Sequence, residues 1–284
     1  MQLIARSKRG NTLARFIDAL FKIEGAYALV VLTNKKLIGV RDPLGIRPLV
    51  IGELDGSYIL ASETCALDII GANFVREVEN GEIVVITDDG IESVKPFPPV
   101  KPRPCVFEYI YFARPDSSVG GQSVYECRKS FGRELAKESG VEADVVIPVP
   151  DSGVPAAIGY AEAANIPFEL GIIRNHYVGR TFIEPQQSIR AFSVKLKHNA
   201  NRILVGGKRV ILIDDSIVRG TTSIKIVQMM RDAGALEVHM RIASPPIKYP
   251  DYYGCLLYTS DAADDMQCVD LGGSRIMKKK RGGG

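Results

Sequence analysis

The sequence lacks the features that mark membrane, secreted and nucleic-acid-binding proteins. No apolar run approaches the roughly 18 residues of a membrane span, and the longest, Ala26–Leu32, has only the length of a strand. The opening residues, MQLIARSKRG, contain no apolar core of a secretory signal. With 36 Lys and Arg against 33 Asp and Glu, neither charge dominates, which argues against a nucleic-acid partner.

Cysteine is scarce, and its spacing does not suggest disulfides. The odd total of five includes no CxxC pair, which is typical of a reducing compartment. We therefore predict a cytoplasmic protein that engages neither membrane nor nucleic acid. A chain of 284 residues with 46% hydrophobic content is sufficient for about two globular domains.

Short apolar stretches separated by turns fill the first hundred residues. Ahead of them, the apolar residues of Leu13–Lys22 recur at the spacing of an amphipathic helix. Asp55-Gly56 is the signal of a type I′ hairpin turn. A helix followed by such a meander predicts an α+β layered structure. The predicted strands are Ala26–Leu32, Lys36–Val40, Leu49–Leu54, Tyr58–Ala61 and Glu82–Thr87.

Proline is concentrated in one short segment. Lys95–Pro104, KPFPPVKPRP, holds five prolines in ten residues. Because proline removes a backbone donor and fixes φ, the segment cannot be a helix interior or a central strand. We place a domain boundary here, with the first domain at residues 1–95.

Beyond the boundary, predicted strands alternate with predicted helices. Such alternation is typical of an α/β domain, in which helices cover a parallel sheet. We assign residues 96–254 to this domain. The strands are Ala143–Val149, Phe168–Ile173, Lys208–Ile213 and Glu237–Ile242, and the helices are Ser152–Asn165 and Ser223–Ala233.

The most informative stretch is VILIDDSIVRGTT at 210–222. A buried strand ends in Asp214 and Asp215, and a loop of small and hydroxylated residues leads into a helix. Ligands of open parallel sheets bind beyond the carboxyl ends of the strands, and a helix N-terminus favours an anion. The loop, with Ser216, Gly220, Thr221 and Thr222, therefore predicts a phosphate site.

The two carboxylates need a different partner, because they would repel a phosphate. Sugar hydroxyls and hydrated Mg²⁺, which prefers oxygen ligands, are the natural ones. The alternative is purely structural, with Asp214-Asp215 capping the following helix and an ordinary turn behind them.

This stretch resembles the phosphoribosyl diphosphate (PRPP) motif of type I phosphoribosyltransferases, in the form found in the glutamine PRPP amidotransferase family. Five further stretches resemble that family in the family's own order, and together the likeness spans approximately residues 1–254. They are RDPLGIRPL at 41–49, FEYIYFARPDS at 107–117, VVIPVPDSG at 145–153, RNHYVGRTFI at 174–183 and KLKHNANR at 195–202.

The resemblance implies two domains and two reactions. Residues 1–95 are similar to part of a glutaminase domain of the Ntn-hydrolase type, which releases ammonia from glutamine. Residues 96–254 are similar to a type I phosphoribosyltransferase domain, which passes that ammonia to C1 of PRPP with Mg²⁺ assistance and expels pyrophosphate. In the family this is the first step of de novo purine (IMP) synthesis. Purine nucleotides are implied as feedback inhibitors, and a homo-oligomer is implied as the assembly.

The resemblance also gives individual residues roles at the PRPP site. Asp214 and Asp215 match the acidic pair that holds the ribose hydroxyls and the metal, and Ser216–Thr222 match the 5′-phosphate loop. Asp151, Ser152 and Gly153 match the pyrophosphate loop, where the Ser152 hydroxyl is a further metal ligand. An N-capping role for Asp151-Ser152 stays open beside this one.

A third segment matches the family's mobile catalytic loop. Its implied catalytic residues are Arg174, Tyr177 and Arg180. We interpret His176, in the same loop, as incidental and not as a catalytic base.

Three departures from the family limit these expectations. The N-terminal nucleophilic cysteine of the glutaminase has no counterpart here, and we interpret Cys65 as a small buried apolar residue. Cys105 matches one iron–sulfur ligand, but Asp251 stands where another cysteine is required, so we predict no cluster. Residues 255–284 carry no family motif and resemble translated adapter sequence, which indicates a cloning or assembly artefact.

Two alternatives to the enzyme remain. One is a non-catalytic PRPP-binding regulatory module, although the first hundred residues show no basic helix-turn-helix. The other is an inert fragment, truncated at both ends.

Overall fold

The computed structural model describes residues 2–175, 198–217 and 220–246. They form two compact units: residues 2–108 with Ala113–Ser123, and Tyr109–Phe112 with the described residues from Val124 onward. The units divide further along the chain than the predicted boundary after residue 95. The proline-rich segment belongs to the first unit, where the ring of Phe97 lies 5.0 Å from that of Phe21. No helix in the described ranges is long and apolar enough to span a membrane.

The first unit contains helices α1 (Gln2–Arg6), α2 (Thr12–Leu20) and α3 (Thr64–Ile70). Its strands are β1 (Ala28–Leu32), β2 (Leu37–Arg41), β3 (Val50–Leu54), β4 (Ser57–Ala61), β5 (Asn73–Glu77), β6 (Ile83–Thr87), β7 (Gly90–Val94), β8 (Ser118–Val119) and β9 (Gln122–Ser123). The main strands form two antiparallel sheets, β1-β2-β6-β7 and β4-β3-β5.

Successive side chains along these strands point to opposite faces of each sheet, so each sheet packs against another layer on either side. Ile38 and Val85 of the first sheet pack with Phe16 of α2. On the other face of that sheet, Val84 packs against residues of the second sheet. The far side of the second sheet is covered by Leu67 of α3. The result is an α-β-β-α arrangement, which confirms the predicted α+β class.

Local signals explain several boundaries of this unit. Asn11 caps α2, since its side chain accepts a hydrogen bond from the amide of Ala14 at 2.8 Å. Asp55 and Gly56 both have positive φ, 50° and 79°. These values belong to a type I′ turn, and the hairpin predicted at Asp55-Gly56 is confirmed.

A single π-helical turn, Glu108–Phe112, precedes β8, and the second unit then alternates helix and strand. Its helices are α4 (Val124–Glu138), α5 (Val154–Ala164), α6 (Arg202–Val205) and α7 (Thr221–Asp232). Its strands are β10 (Val145–Pro148), β11 (Ile172–Arg174), β12 (His198–Ala200), β13 (Arg209–Asp214) and β14 (Glu237–Ile242). The order β10-β13-β14 is parallel throughout, whereas β11 and β12 form a separate antiparallel pair.

Apolar side chains cover both faces of the parallel sheet. On one face Ile211 packs with Tyr160 of α5. On the other, Leu212 packs with Ile226 and Met230 of α7. A parallel sheet with helices on both faces is confirmed.

Helices α4 and α5 approach each other through two glycines. A Cβ on Gly132 would lie 1.9 Å from the carbonyl oxygen of Ala156. A Cβ on Gly159 would lie equally close, 1.9 Å, to the carbonyl oxygen of Lys129. The helix backbones therefore touch where any side chain would hold them apart.

The strand predicted at Phe168–Ile173 is confirmed only in part. Phe168 makes only an isolated parallel bridge to Val146, and the regular strand is Ile172–Arg174, paired antiparallel with β12. A Cβ on Gly171 would lie 2.2 Å from the Ile147 side chain. Residues 167–169 nevertheless pair with the outer edge of β10, where the amide of Val146 donates to the carbonyl oxygen of Pro167 at 2.8 Å and the amide of Glu169 donates to that of Val146 at 3.0 Å.

Candidate functional site

The carboxyl ends of β10 and β13 bring two of the predicted segments together. The two strands run parallel with Pro148 opposite Ile213. Asp151–Gly153 follow the first strand, and Asp214 and Asp215 end the second. The candidate pyrophosphate loop and the acidic pair therefore share one edge of the sheet, as their positions in the sequence predict.

The loop is pressed against the end of β13. The amide of Val149 donates to the carbonyl oxygen of Ile213 at 2.8 Å, and the amide of Gly153 donates to that of Val149 at 3.0 Å. A Cβ on Gly153 would lie 2.4 Å from the Ile213 oxygen. Glycine is therefore required at 153 for this close approach, and its absence of a side chain sets the distance between loop and strand.

The acidic pair is buried. Asp214 is 9% exposed and Asp215 is 6% exposed. The amide of Asp215 donates to Oδ1 of Asp214 at 3.0 Å, and the hydroxyl of Ser216 donates to Oδ2 of Asp215 at 2.7 Å. Burial first, and the adjacent Asp215 carboxylate second, raise the pKa of Asp214 well above its ordinary value. Two adjoining buried carboxylates favour a cation or hydroxyl donors as partners.

This donor set fits Mg²⁺ completed by other ligands. In the part of the chain that the structure describes, no group of three or more His, Cys, Asp or Glu side chains is placed to hold a metal. Mg²⁺ is commonly held by one or two carboxylates, with waters and substrate phosphates supplying the remaining oxygens. The chemistry of Asp214 and Asp215 matches that pattern.

A small cavity lies between Asp215 and Ser152. Its volume is about 10 Å³, close to the space that one water occupies. Arg128 of α4 also borders the cavity. Its side chain is 4% exposed, and its Nε donates to the carbonyl oxygen of Tyr109 at 2.8 Å. The cavity is lined by Ile110, Arg128, Phe131, Ser152, Ala156, Asp215 and Ala243.

Sequence reasoning missed Arg128. It lies in a helix of mostly polar residues, where an arginine is typically solvated. Only the tertiary packing, which turns this position inward toward Ser152 and Asp215, identifies it.

Arg174 reaches the same edge of the sheet from β11. Its Nη1 forms a hydrogen-bonded ion pair with Oδ2 of Asp151 in the candidate pyrophosphate loop. Of the other catalytic-loop candidates, Tyr177 and Arg180 lie outside the described residues, as does His176.

The candidate phosphate loop is described in part. Ser216, Ile217, Gly220 and Thr222 lie within the described residues, and so does the backbone of Thr221, whereas Val218 and Arg219 fall outside them. Gly220 is the N-cap of α7, with φ 64° and ψ −26°, and no side chain caps this helix. Gly153 is likewise the N-cap of α5, again without a side-chain cap. In the described residues, glycines therefore stand at the N-cap positions that the capping alternative gives to Asp151-Ser152 and Asp214-Asp215.

Two domain families match the chain. The glutamine amidotransferase domain matches residues 7–68, and the phosphoribosyl transferase domain matches residues 124–244. The amidophosphoribosyltransferase of Rhizobium etli is 64% identical over 259 residues, which cover 89% of this chain and 52% of that protein. This chain is thus similar to amidophosphoribosyltransferases over nearly nine-tenths of its length. The family resemblance is confirmed, and with it the fold class.

Further relatives agree. The amidophosphoribosyltransferase of Bacillus subtilis is 52% identical over 252 residues, covering 89% of this chain and 53% of that protein. The solved glutamine PRPP amidotransferase from B. subtilis, complexed with ADP and GMP, has a TM-score of 0.83 at 52% identity and is covered to 55%. A structure described as the allosteric regulatory enzyme of purine biosynthesis has a TM-score of 0.84 at 51% sequence identity, and this chain covers 54% of it. The chain spans about half the length of the amidophosphoribosyltransferases it matches.

Proposed function

We propose that this chain carries the PRPP site of an amidophosphoribosyltransferase. The reaction joins ammonia derived from glutamine to C1 of PRPP and releases pyrophosphate, forming 5-phosphoribosylamine in the first step of de novo purine synthesis. The observation that supports this most strongly is the convergence of the Asp214–Asp215 pair and the Asp151–Gly153 loop at the carboxyl ends of neighbouring parallel strands.

Each part of the site suits one part of PRPP. The loop at 216–222 opens α7, and amides at a helix N-terminus stabilise an anion such as the 5′-phosphate. Asp214 and Asp215 would accept hydrogen bonds from the ribose hydroxyls and, with the Ser152 hydroxyl, would hold Mg²⁺. When bound, Mg²⁺ neutralises charge on the departing pyrophosphate.

The displacement builds positive charge at the ribose ring and negative charge on the leaving group. The buried carboxylates lie on the side where the sugar cation develops, and Arg174 lies where the diphosphate leaves. Catalysis by these residues therefore consists of positioning and charge stabilisation. Tyr177 and Arg180 complete this proposal as further catalytic-loop residues.

The wider proposals follow the family. We assign residues 1–95, with the proline-rich segment that packs on them, to a partial glutaminase domain, the rest of 96–254 to the transferase domain and 255–284 to a segment outside the family. Purine nucleotides are the proposed inhibitors, a homo-oligomer is the proposed assembly and the cytoplasm the proposed location. Mg²⁺ is the proposed metal, without an iron–sulfur cluster.

Pyrophosphate release tests the function directly. In a mixture of the 284-residue chain, PRPP, an ammonium salt and Mg²⁺, we expect pyrophosphate to form at a rate that requires all three additions. A chelator should abolish release, and excess Mg²⁺ should restore it, because an uncompensated pyrophosphate leaves poorly. PRPP binding without release, in a chain shown to be folded by circular dichroism, would favour the regulatory module. Neither binding nor release would favour the inert fragment.

Gly220 gives a test of the phosphate loop. Its φ of 64° is left-handed, a conformation that β-branched residues rarely adopt. We expect Gly220→Val to weaken PRPP binding about tenfold or more. Gly220→Asn is the matched control, because asparagine tolerates this conformation and should lose less. Titration calorimetry with PRPP and Mg²⁺ measures both, and equal affinities for Gly, Asn and Val would remove Gly220 from the site.

A further inference from the structure

The side chain of Asp151 poses an electrostatic problem that the proposed function leaves open. It projects from the loop assigned to the diphosphate, and an anionic carboxylate repels an anionic ligand. The side chain is 63% exposed, so packing does not force the carboxylate into this place. The interaction that holds the Asp151 carboxylate beside the loop is therefore with another side chain.

That partner is Arg174. Its Nη1 pairs with Oδ2 of Asp151, and its side chain is 40% exposed. Backbone structure fixes both residues: Arg174 is paired with His198 across the β11–β12 ladder, and Asp151 precedes Gly153, which is pressed against Ile213. The ion pair therefore joins two anchored segments and holds the guanidinium beside the loop.

Such a pair is easily exchanged. Ion pairs between exposed side chains are weak because water and salt screen them. A diphosphate carries more charge than a carboxylate and offers several oxygens to the planar, forked donors of a guanidinium. A diphosphate at the loop is thus a better partner for Arg174 than Asp151 is.

From this geometry we infer that Asp151 is a positioning residue whose carboxylate keeps Arg174 at the pyrophosphate loop and competes with the diphosphate for it. The inference rests on the proposed function, because it needs a diphosphate to bind at this edge of the sheet. Asp151 orients Arg174 before the ligand arrives and lowers affinity for the diphosphate. Pyrophosphate, which must also leave after the reaction, is then bound less tightly than Arg174 alone would bind it.

A double-mutant cycle tests the competition, with inorganic pyrophosphate and Mg²⁺ as the probe and titration calorimetry as the measurement. Asp151→Asn should tighten pyrophosphate binding about two- to fivefold, the range expected for loss of an exposed ion pair. In an Arg174→Gln background the same substitution should give a clearly smaller gain, because the competition for the guanidinium is absent and only the direct repulsion between carboxylate and diphosphate is relieved. Glu142→Gln is the matched control: it removes the same charge from a side chain that is 92% exposed and pairs with Arg209 at the opposite end of the sheet.

The outcomes separate the inference from the function. If the unaltered chain binds pyrophosphate and the Asp151→Asn variant binds it equally well or more weakly, the proposed competition is overturned. The proposed function is then unaffected. A gain of the same size in Glu142→Gln would also overturn it, as a general charge effect. No pyrophosphate binding by any variant, all of them folded, would overturn both. The ¹⁵Nε resonance of Arg174 in the ligand-free chain should shift on Asp151→Asn, and an unchanged resonance would show that the pair does not form.

Discussion

Replacing Asp215 by asparagine is expected to reduce kcat/KM for PRPP, in the ammonia-dependent reaction, by about 100-fold or more. The amide has nearly the same shape as the carboxylate but supplies no charge to Mg²⁺, and it donates a hydrogen bond where the ribose hydroxyls require an acceptor. Asp215 is buried, so water cannot replace the lost charge. Initial rates of pyrophosphate release across a range of Mg²⁺ concentrations measure the effect, and the rise in Mg²⁺ requirement should accompany the loss.

Two variants frame that result. Asp214→Asn should reduce kcat/KM for PRPP by a similar factor, although the side-chain oxygen at position 214 can still accept a hydrogen bond from the amide of Asp215. Asp232→Asn, near the far end of α7, is the control: Gln228 donates to its Oδ1, and an amide oxygen accepts that bond equally well. Near-parental kinetics for both Asp214→Asn and Asp215→Asn would exclude the pair from the site.

The largest loss of stability is expected for Gly132→Ala in α4. The new methyl group would lie 1.9 Å from the carbonyl oxygen of Ala156, which belongs to helix backbone and cannot rotate away. The two helices must separate, and the apolar contacts behind them must loosen. We expect the free energy of unfolding to fall by about 3 kcal/mol, as measured by urea denaturation followed by circular dichroism.

Gly10→Ala is the control for that measurement, because no atom lies within 4 Å of a Cβ added there. It should unfold within about 0.5 kcal/mol of the unaltered chain. A Gly132→Ala protein as stable as Gly10→Ala would show that α4 and α5 do not approach as closely as described.

Helices and strands are predicted well from the sequence where a run or a periodic pattern of apolar residues marks the buried positions. β13 is a run of buried aliphatic side chains, and its bounds differ by one residue from those predicted. Helix α4 shows no such pattern: its buried residues are Val124, Arg128 and Gly132, so its inner face carries only a weak apolar signal. Strand β12, His198-Asn199-Ala200, has no β-branched residue, and only its pairing with β11 makes it a strand.

The parts of the candidate site that come directly after the carboxyl ends of parallel strands were predictable from the sequence. Asp214 and Asp215 were identified because ligands bind at the carboxyl ends of parallel strands, whereas Asp151 was identified through the family resemblance. The ion pair from Arg174 to Asp151 was not, since β11 reaches that edge by a path that no local pattern encodes. The inward turn of Arg128 depends likewise on how α4 packs, which sequence periodicity does not contain.

The contact between Gly153 and the carbonyl oxygen of Ile213 has a consequence for protein engineering. Loop and strand end are in backbone contact, with no side chain between them to be trimmed or enlarged. The proposed diphosphate loop and the carboxylates proposed to bind the sugar are therefore not separable modules. A designer who grafts one of them onto another scaffold has to transplant the paired strands as well, because backbone contacts set the distance between the loop and the strand end.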